Sequence, residues 1–169
     1  MSALVVVMMG VTGAGKTTVG SLLAHELGWP FFDADTFHSV ANIEKMRAGE
    51  PLTEEDREPW LAALEAQVAA LLDAGESGVL ACSALRTEYR ERLRRPAASG
   101  KGDVRFVYLR ISPEEAHRRL KTRKGHFMPA SLVHSQFDAL EEPHVQVLDL
   151  DGTHTPEQLV SEIRAAWGI

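Results

Sequence analysis

Seven apolar residues, Ala3 to Met9, run directly into Gly10-Val11-Thr12-Gly13-Ala14-Gly15-Lys16-Thr17. No other stretch of the chain narrows its possible folds as much. The apolar run does not alternate, as expected of a strand covered on both faces of its sheet. Thr17 to Leu27 then reads as a helix that Gly28 ends. Strand, glycine-rich turn and helix in this order satisfy G-x-x-x-x-G-K-[ST] in full and in the setting it requires. The glycines let backbone N–H groups turn inward around phosphate oxygens, and the helix aims the positive end of its dipole at the same point. Gly10, Val11, Thr12, Gly13, Ala14, Gly15, Lys16, Thr17 and Thr18 are therefore expected to hold nucleotide phosphates. Lys16 is expected at the β- and γ-phosphates, and the Thr17 hydroxyl at Mg²⁺. The loop specifies a nucleotide but no reaction, since switches, motors and kinases all use it.

Four further strands are expected, at Pro30–Asp35, Val79–Cys82, Val104–Ile111 and Val145–Leu150. Between them lie helical segments. Asn42 to Ala48 is one. A second opens at the N-cap Thr53, with Asp56 three residues on, and carries Trp60, Leu61, Leu64, Val68, Leu71 and Leu72 at helical spacing. Leu85 to about Arg94 is a third, followed by a loop over Pro96–Gly102. Ser112-Pro113-Glu114-Glu115 and Thr155-Pro156-Glu157-Gln158 are both strong helix starts. Five short apolar strands alternating with helices call for an α/β fold of three layers, a parallel sheet with helices on both faces. The length of 169 residues fits one domain, 1–169. Ligands in such folds bind beyond the carboxyl ends of the strands, so the informative residues follow each strand.

A net charge of -6 argues against nucleic acid as the main partner. The longest apolar run is too short to span a bilayer, and the start of the chain lacks the pattern of a secretory signal. The single cysteine, Cys82, sits in an apolar segment and reads as a buried free thiol. These features together point to a cytoplasmic setting.

Asp33 and Asp35 end the second expected strand. A carboxylate there can accept a proton from an attacking hydroxyl and orient it, and Asp35, beside Thr36 and His38, is the better placed. The same acids could instead only cap the following turn. Arg118, Arg119, Lys121, Arg123 and Lys124 crowd into seven residues before Gly125-His126-Phe127-Met128-Pro129. Beside a phosphate loop, this reads as a hinged lid over about 118–130. Its Arg119 and Arg123, four apart on one helix face, would neutralise charge and exclude water. Arg57, Ser83, Arg86, Tyr89 and Arg90 supply guanidinium and hydroxyl groups suited to a polyhydroxylated, anionic acceptor. Taken singly, each is as readily a surface residue.

The sequence resembles the gluconokinase family through Asp35…His38, Asn42-Ile43-Glu44-Lys45-Met46, Gly49-Glu50-Pro51-Leu52, Asp56-Arg57, Pro59-Trp60-Leu61, Cys82-Ser83-Ala84-Leu85, Lys124-Gly125-His126-Phe127 and Ser135-Gln136-Phe137. The likeness runs from the phosphate loop to about Pro143. It implies the fold of shikimate and nucleoside monophosphate kinases. It also implies ATP and Mg²⁺ as cofactors and transfer of the γ-phosphate to the 6-hydroxyl of D-gluconate, feeding the pentose phosphate pathway. Lys16, Asp35 and Arg123 would be catalytic, and Arg119 and Arg123 would belong to the lid and to ATP. Asp35, His38, Arg57, Ser83, Arg86, Tyr89, His126 and Gln136 would line the acceptor pocket. A homodimer is implied as well. Two positions depart from the family pattern: Ser39 replaces a usual proline and Ala34 a usual glycine. Neither removes a reactive group. A kinase for another acceptor, such as shikimate or another sugar acid, stays open, as does a non-catalytic nucleotide-binding regulator. Against the regulator, the chain has no N-K-x-D guanine signature, and its third strand ends in Cys82-Ser83 rather than an acid.

Overall fold

A computed structural model describes residues 2–122, 130–143 and 146–169. Five strands form one sheet: β1 (Ala3–Met9), β2 (Phe31–Asp33), β3 (Gly78–Ala81), β4 (Gly102–Arg110) and β5 (Val147–Asp151), in the order β2-β3-β1-β4-β5. All four pairings are parallel, with Val6 opposite Val79 on one side and Arg105 on the other. All five carboxyl ends therefore lie along one edge.

The helices are α1 (Lys16–Leu27), α2 (Val40–Arg47), α3 (Glu54–Asp73), α4 (Thr87–Arg94), α5 (Pro113–Thr122), α6 (Ala130–Ala139) and α7 (Pro156–Trp167). They cover both faces. Ala3, Val5, Val7 and Met9 point into a core shared with α3 and α4, while Leu4, Val6 and Met8 point into one shared with α1, α5, α6 and α7. Every β1 residue is buried. This accounts for the missing polar alternation, because a strand between two helical layers has no wet face.

Local chemistry sets the element ends. In α3, the Thr53 hydroxyl accepts from the Asp56 N–H at 3.1 Å and the Asp56 carboxylate accepts from the Thr53 N–H at 2.9 Å. The six apolar residues expected to face inward from α3 are all buried. Ser112 caps α5 through the Glu115 N–H at 3.1 Å, and Thr155 with Gln158 forms the second capping box.

Several boundaries differ from expectation. The strand β2 stops at Asp33, and Asp35 sits in a 3-10 turn over Ala34–Phe37. The Asp33 carboxylate accepts the Asp35 N–H at 2.9 Å, and the Thr36 hydroxyl donates to the Asp33 carbonyl at 2.7 Å, which closes a turn where a strand would continue. The helix α4 begins at Thr87, two residues late, because Ala84 adopts a left-handed φ of 46°. A 3-10 turn at Arg95–Ser99 occupies part of the expected loop. No helix was expected at 130–139, where Leu132 and Val133 supply the buried contacts of α6. Among the described residues, no helix is long and apolar enough to cross a membrane.

Candidate active site

The turn after β1 has the backbone a phosphate loop needs. At Gly10, with φ 149°, an added Cβ would come within 2.9 Å of the Leu109 carbonyl oxygen. Gly15, with φ 100°, is the N-cap of α1 in the left-handed region that favours glycine. No side chain caps α1, whereas α2, α3, α5 and α7 each carry a Ser or Thr cap, and the Thr87 N–H of α4 is taken by the Glu141 carboxylate at 3.1 Å. Among the described residues, the N–H groups of Gly13, Gly15, Thr17 and Thr18 bond nothing. Open donors at a helix start make a ready anion site. The Lys16 ammonium arches over the turn, donating to the Gly10 and Val11 carbonyls at 2.9 Å each. Thr17 is exposed and its hydroxyl has no partner among the described residues. That donor suits Mg²⁺, which takes one or two protein oxygens and fills its shell with water and phosphate.

Arg119 braces this loop from α5. It donates to the Gly13 carbonyl at 2.9 Å, the Gly152 carbonyl at 2.7 Å and the Glu115 carboxylate at 2.9 Å. These bonds tie α5 to the loop backbone and to the turn after β5. Arg118, read as part of the lid's basic run, is an exposed partner of Glu115. Arg123 and His126 lie outside the described residues.

The residues expected on the acceptor side follow β2 and β3. Burial raises the Cys82 thiol to about 12, and the next influences on it are the Ala84 backbone and the charges of Asp35, Lys16 and Asp33. Lys16 follows β1 and Asp35 follows β2, the two strands that flank β3, so the expected base and the expected phosphate lysine both lie beyond the same edge of the sheet. The Ser83 carbonyl accepts the Gly10 N–H at 3.3 Å, tying this segment to the phosphate loop. Behind it, the buried Arg90 holds the Ala84 carbonyl at 2.7 Å and the Glu141 carbonyl at 2.9 Å.

Arg57, at the start of α3, donates to the Tyr89 hydroxyl at 2.8 Å, to the Glu54 carboxylate at 2.7 Å and to the Leu52 carbonyl. Tyr89 in turn donates to Glu54 at 3.1 Å. Arg57, Tyr89 and Glu54 thus form one hydrogen-bonded cluster. The side chain of Arg86, half-buried at the start of α4, has no hydrogen bond or ion pair among the described residues. Gln136, expected in the acceptor pocket, accepts the Thr12 N–H at 2.6 Å with its side-chain oxygen. From α6, a helix unread in the sequence, it supports the phosphate loop.

His38 stacks flat on Trp60, with ring centroids 4.4 Å apart and planes 9° apart. Burial first, and the Arg57 charge second, lower its pKa from 6.5 to about 4, so the ring is neutral at pH 7. The Trp60 indole N–H donates to the Ala34 carbonyl at 2.8 Å, one residue before Asp35. Sequence reasoning took Trp60 only as core and assigned Asn42 nothing, although both stand in the stretches that carry the family likeness. A cavity of about 670 Å³, lined by Arg94, Phe106, Gln146 and Trp167 among others, opens near the amino ends of β4 and β5 and takes no part in this site.

A family model for shikimate kinase matches residues 12–162. A gluconokinase from Gluconobacter oxydans is 44% identical over 162 residues, covering 93% of this chain and 87% of its own. A gluconokinase from Sinorhizobium meliloti superposes with a TM-score of 0.83 at 39% identity, over 97% of this chain and 90% of its own. An unliganded sugar kinase from a Janibacter species gives 0.85 at 44% identity, over 98% and 94%. Both the sequence and the fold are thus shared over nearly the full length of each relative, and this chain belongs to the gluconokinase family of P-loop kinases.

Proposed function

We propose that this enzyme transfers the γ-phosphoryl group of ATP to the 6-hydroxyl of D-gluconate, yielding 6-phospho-D-gluconate and ADP. The observation that carries this reading is the placement, beyond one sheet edge, of an uncapped phosphate-loop helix carrying Lys16 and of the turn carrying Asp35. The hydroxyl oxygen forms the new bond to phosphorus and the bond to the β–γ bridging oxygen breaks. Asp35 orients the hydroxyl and takes its proton, while Lys16 offsets charge on the phosphates. Thr17 would hold Mg²⁺, whose chemistry there is neutralisation of phosphate charge.

Guanidinium groups at Arg57 and Arg86, hydroxyls at Tyr89 and Ser83, and the neutral ring of His38 suit an acceptor with one carboxylate and several hydroxyls. Gln136 serves the acceptor through the loop it holds. In this reading residues 1–169 act as one kinase domain, and a lid over about 118–130 brings Arg123 to the γ-phosphate and His126 to gluconate. The enzyme is a cytoplasmic homodimer. A coupled assay of ADP release with ATP and Mg²⁺ tests the reaction, comparing D-gluconate with shikimate, AMP, glucose and other sugar acids. Gluconate-dependent release with 6-phosphogluconate formed is expected, and turnover only with another acceptor would overturn the acceptor assignment.

A further inference from the structure

The Asn42 side chain is one of two polar or charged ones buried among the described residues, at 6% exposure. Its amide group sits between two acceptor positions. One hydrogen goes to the Asp56 backbone carbonyl at 2.8 Å, and the same nitrogen lies 3.2 Å from His38 Nδ1. A carbonyl oxygen can only accept, so the Asn42 atom facing Asp56 must be the NH₂ group. That fixes the amide orientation without reference to the histidine. The second N–H then points at Nδ1, so Nδ1 must accept and the proton must sit on Nε2.

The rest of the setting supports the same arrangement. Trp60 stacks flat on the ring, with centroids 4.4 Å apart. Asn42 is itself positioned twice: the Ser39 hydroxyl caps its N–H at 3.1 Å, and its Asp56 partner belongs to the capping box of α3. Nε2 has no hydrogen bond among the described residues. No fully buried side-chain nitrogen or oxygen among them lacks a partner, so Nε2 is not fully buried. The His38 N–H also donates to the Asp35 carbonyl at 3.3 Å, which places the ring within one turn of the expected base.

We propose that Asn42 is a positioning residue that locks His38 as the neutral Nε2–H tautomer, giving the acceptor pocket a single aimed hydrogen-bond donor for an oxygen of the sugar acid. This rests on the acceptor reading above for the identity of the ligand, but the tautomer itself does not. A neutral N–H donates to a hydroxyl or carboxylate oxygen without adding a third cation to Arg57 and Arg86. A ring of the opposite tautomer would present a bare acceptor, which repels a carboxylate oxygen.

Long-range ¹⁵N–¹H correlation spectra of the full-length wild-type protein at pH 7 read the tautomer directly. Nε2 protonated and Nδ1 bare is expected, with the Nε2 signal moving when D-gluconate is added. A protonated Nδ1, an imidazolium, or no response of Nε2 to gluconate in an enzyme that turns gluconate over would overturn the proposal. Kinetics supply a readout that a purely structural brace would not move. Asn42→Ala is expected to raise KM for gluconate about tenfold, the scale of one hydrogen bond, with KM for ATP unchanged. In a His38→Gln background, whose amide donates without a tautomer to set, the same substitution should have little further effect. An equal loss in both backgrounds would reduce Asn42 to a brace between α2 and α3 and sink the idea. If wild-type enzyme does not use gluconate at all, the acceptor reading fails, while the nitrogen spectra still decide the tautomer.

Discussion

Replacing Arg90 by methionine should destabilise the protein by about 2 kcal/mol, and two effects compete to set that figure. Arg90 is 3% exposed and no carboxylate forms an ion pair with it among the described residues. Burial lowers its pKa, so its charge is held at a cost that methionine would relieve. Against this stand its bonds to the Ala84 and Glu141 carbonyls at 2.7 and 2.9 Å and to the Thr87 hydroxyl at 3.2 Å. Hydrogen bonds to a charged donor contribute about 1.5–3 kcal/mol each. Glu141 and Thr87 are exposed, so water can replace the donor there. Ala84 is buried, and its carbonyl would be left bare at about 1–3 kcal/mol. A buried ion pair can be exchanged for apolar groups at no net cost because both partners go. Here one partner is backbone and stays, so the bare carbonyl outweighs the relief. For a chain of this size, about 2 kcal/mol corresponds to a fall in Tm of about 4–8 °C. Thermal and urea denaturation of Arg90→Met and Arg90→Lys measure it, with lysine expected to fall between because it reaches fewer acceptors. An unchanged or raised Tm in the methionine variant would show that desolvation of the guanidinium cancels its bonds, and the argument would fail.

Lys16→Ala and Asp35→Asn should each lower kcat by about two orders of magnitude or more while leaving thermal stability near wild type. Near-normal turnover of Asp35→Asn would remove it as orienter or base. His38 gives stability a pH dependence. Its folded pKa, about 4, lies below the ordinary 6.5, so its contribution is complete above pH 6.5 and is lost as pH falls towards 4. The ion-paired carboxylates Asp56, held down to about 2 chiefly by Lys45, and Glu115, held down to about 2 by Arg118 and Arg119, act at lower pH. His38→Gln should therefore flatten the urea midpoint between pH 6.5 and 4 and leave the steeper acid limb in place; an unaltered profile would count against the buried neutral ring. Cys82, raised to about 12, should resist thiol reagents at pH 8 until the protein unfolds, and rapid labelling of native protein would contradict its burial.

Much of this architecture is written in local pattern. An unbroken apolar run such as Ala3–Met9 has only one stable setting, between two layers of helices, and the glycines after it permit only a turn that gathers N–H groups. Thr53 and Thr155 mark helix starts because their hydroxyls and the residues three positions on satisfy each other within one turn. The inward stripe of α3 is equally a matter of spacing along one helix. Such features depend on neighbours close in the chain, so the order of residues alone determines them.

What the chain order does not contain is the meeting of distant groups. Gln136 lies 124 residues from the Thr12 N–H it supports, and Arg119 lies 106 residues from the Gly13 carbonyl. Their side chains are as fit for an acceptor or a lid as for a loop brace, and only packing chooses between those uses. Trp60 looks like any core aromatic until the fold sets His38 on its face and Ala34 at its N–H. Asn42 carries no signature at all. It matters because α3 brings a carbonyl, and the turn before α2 an imidazole, to the one amide nitrogen. Residue type and spacing thus determined the phosphate loop, the sheet and the class of chemistry. Which polar groups face one another, and hence which proton sits where in the acceptor pocket, was decided by tertiary structure, because a hydrogen bond between remote residues depends on position in space.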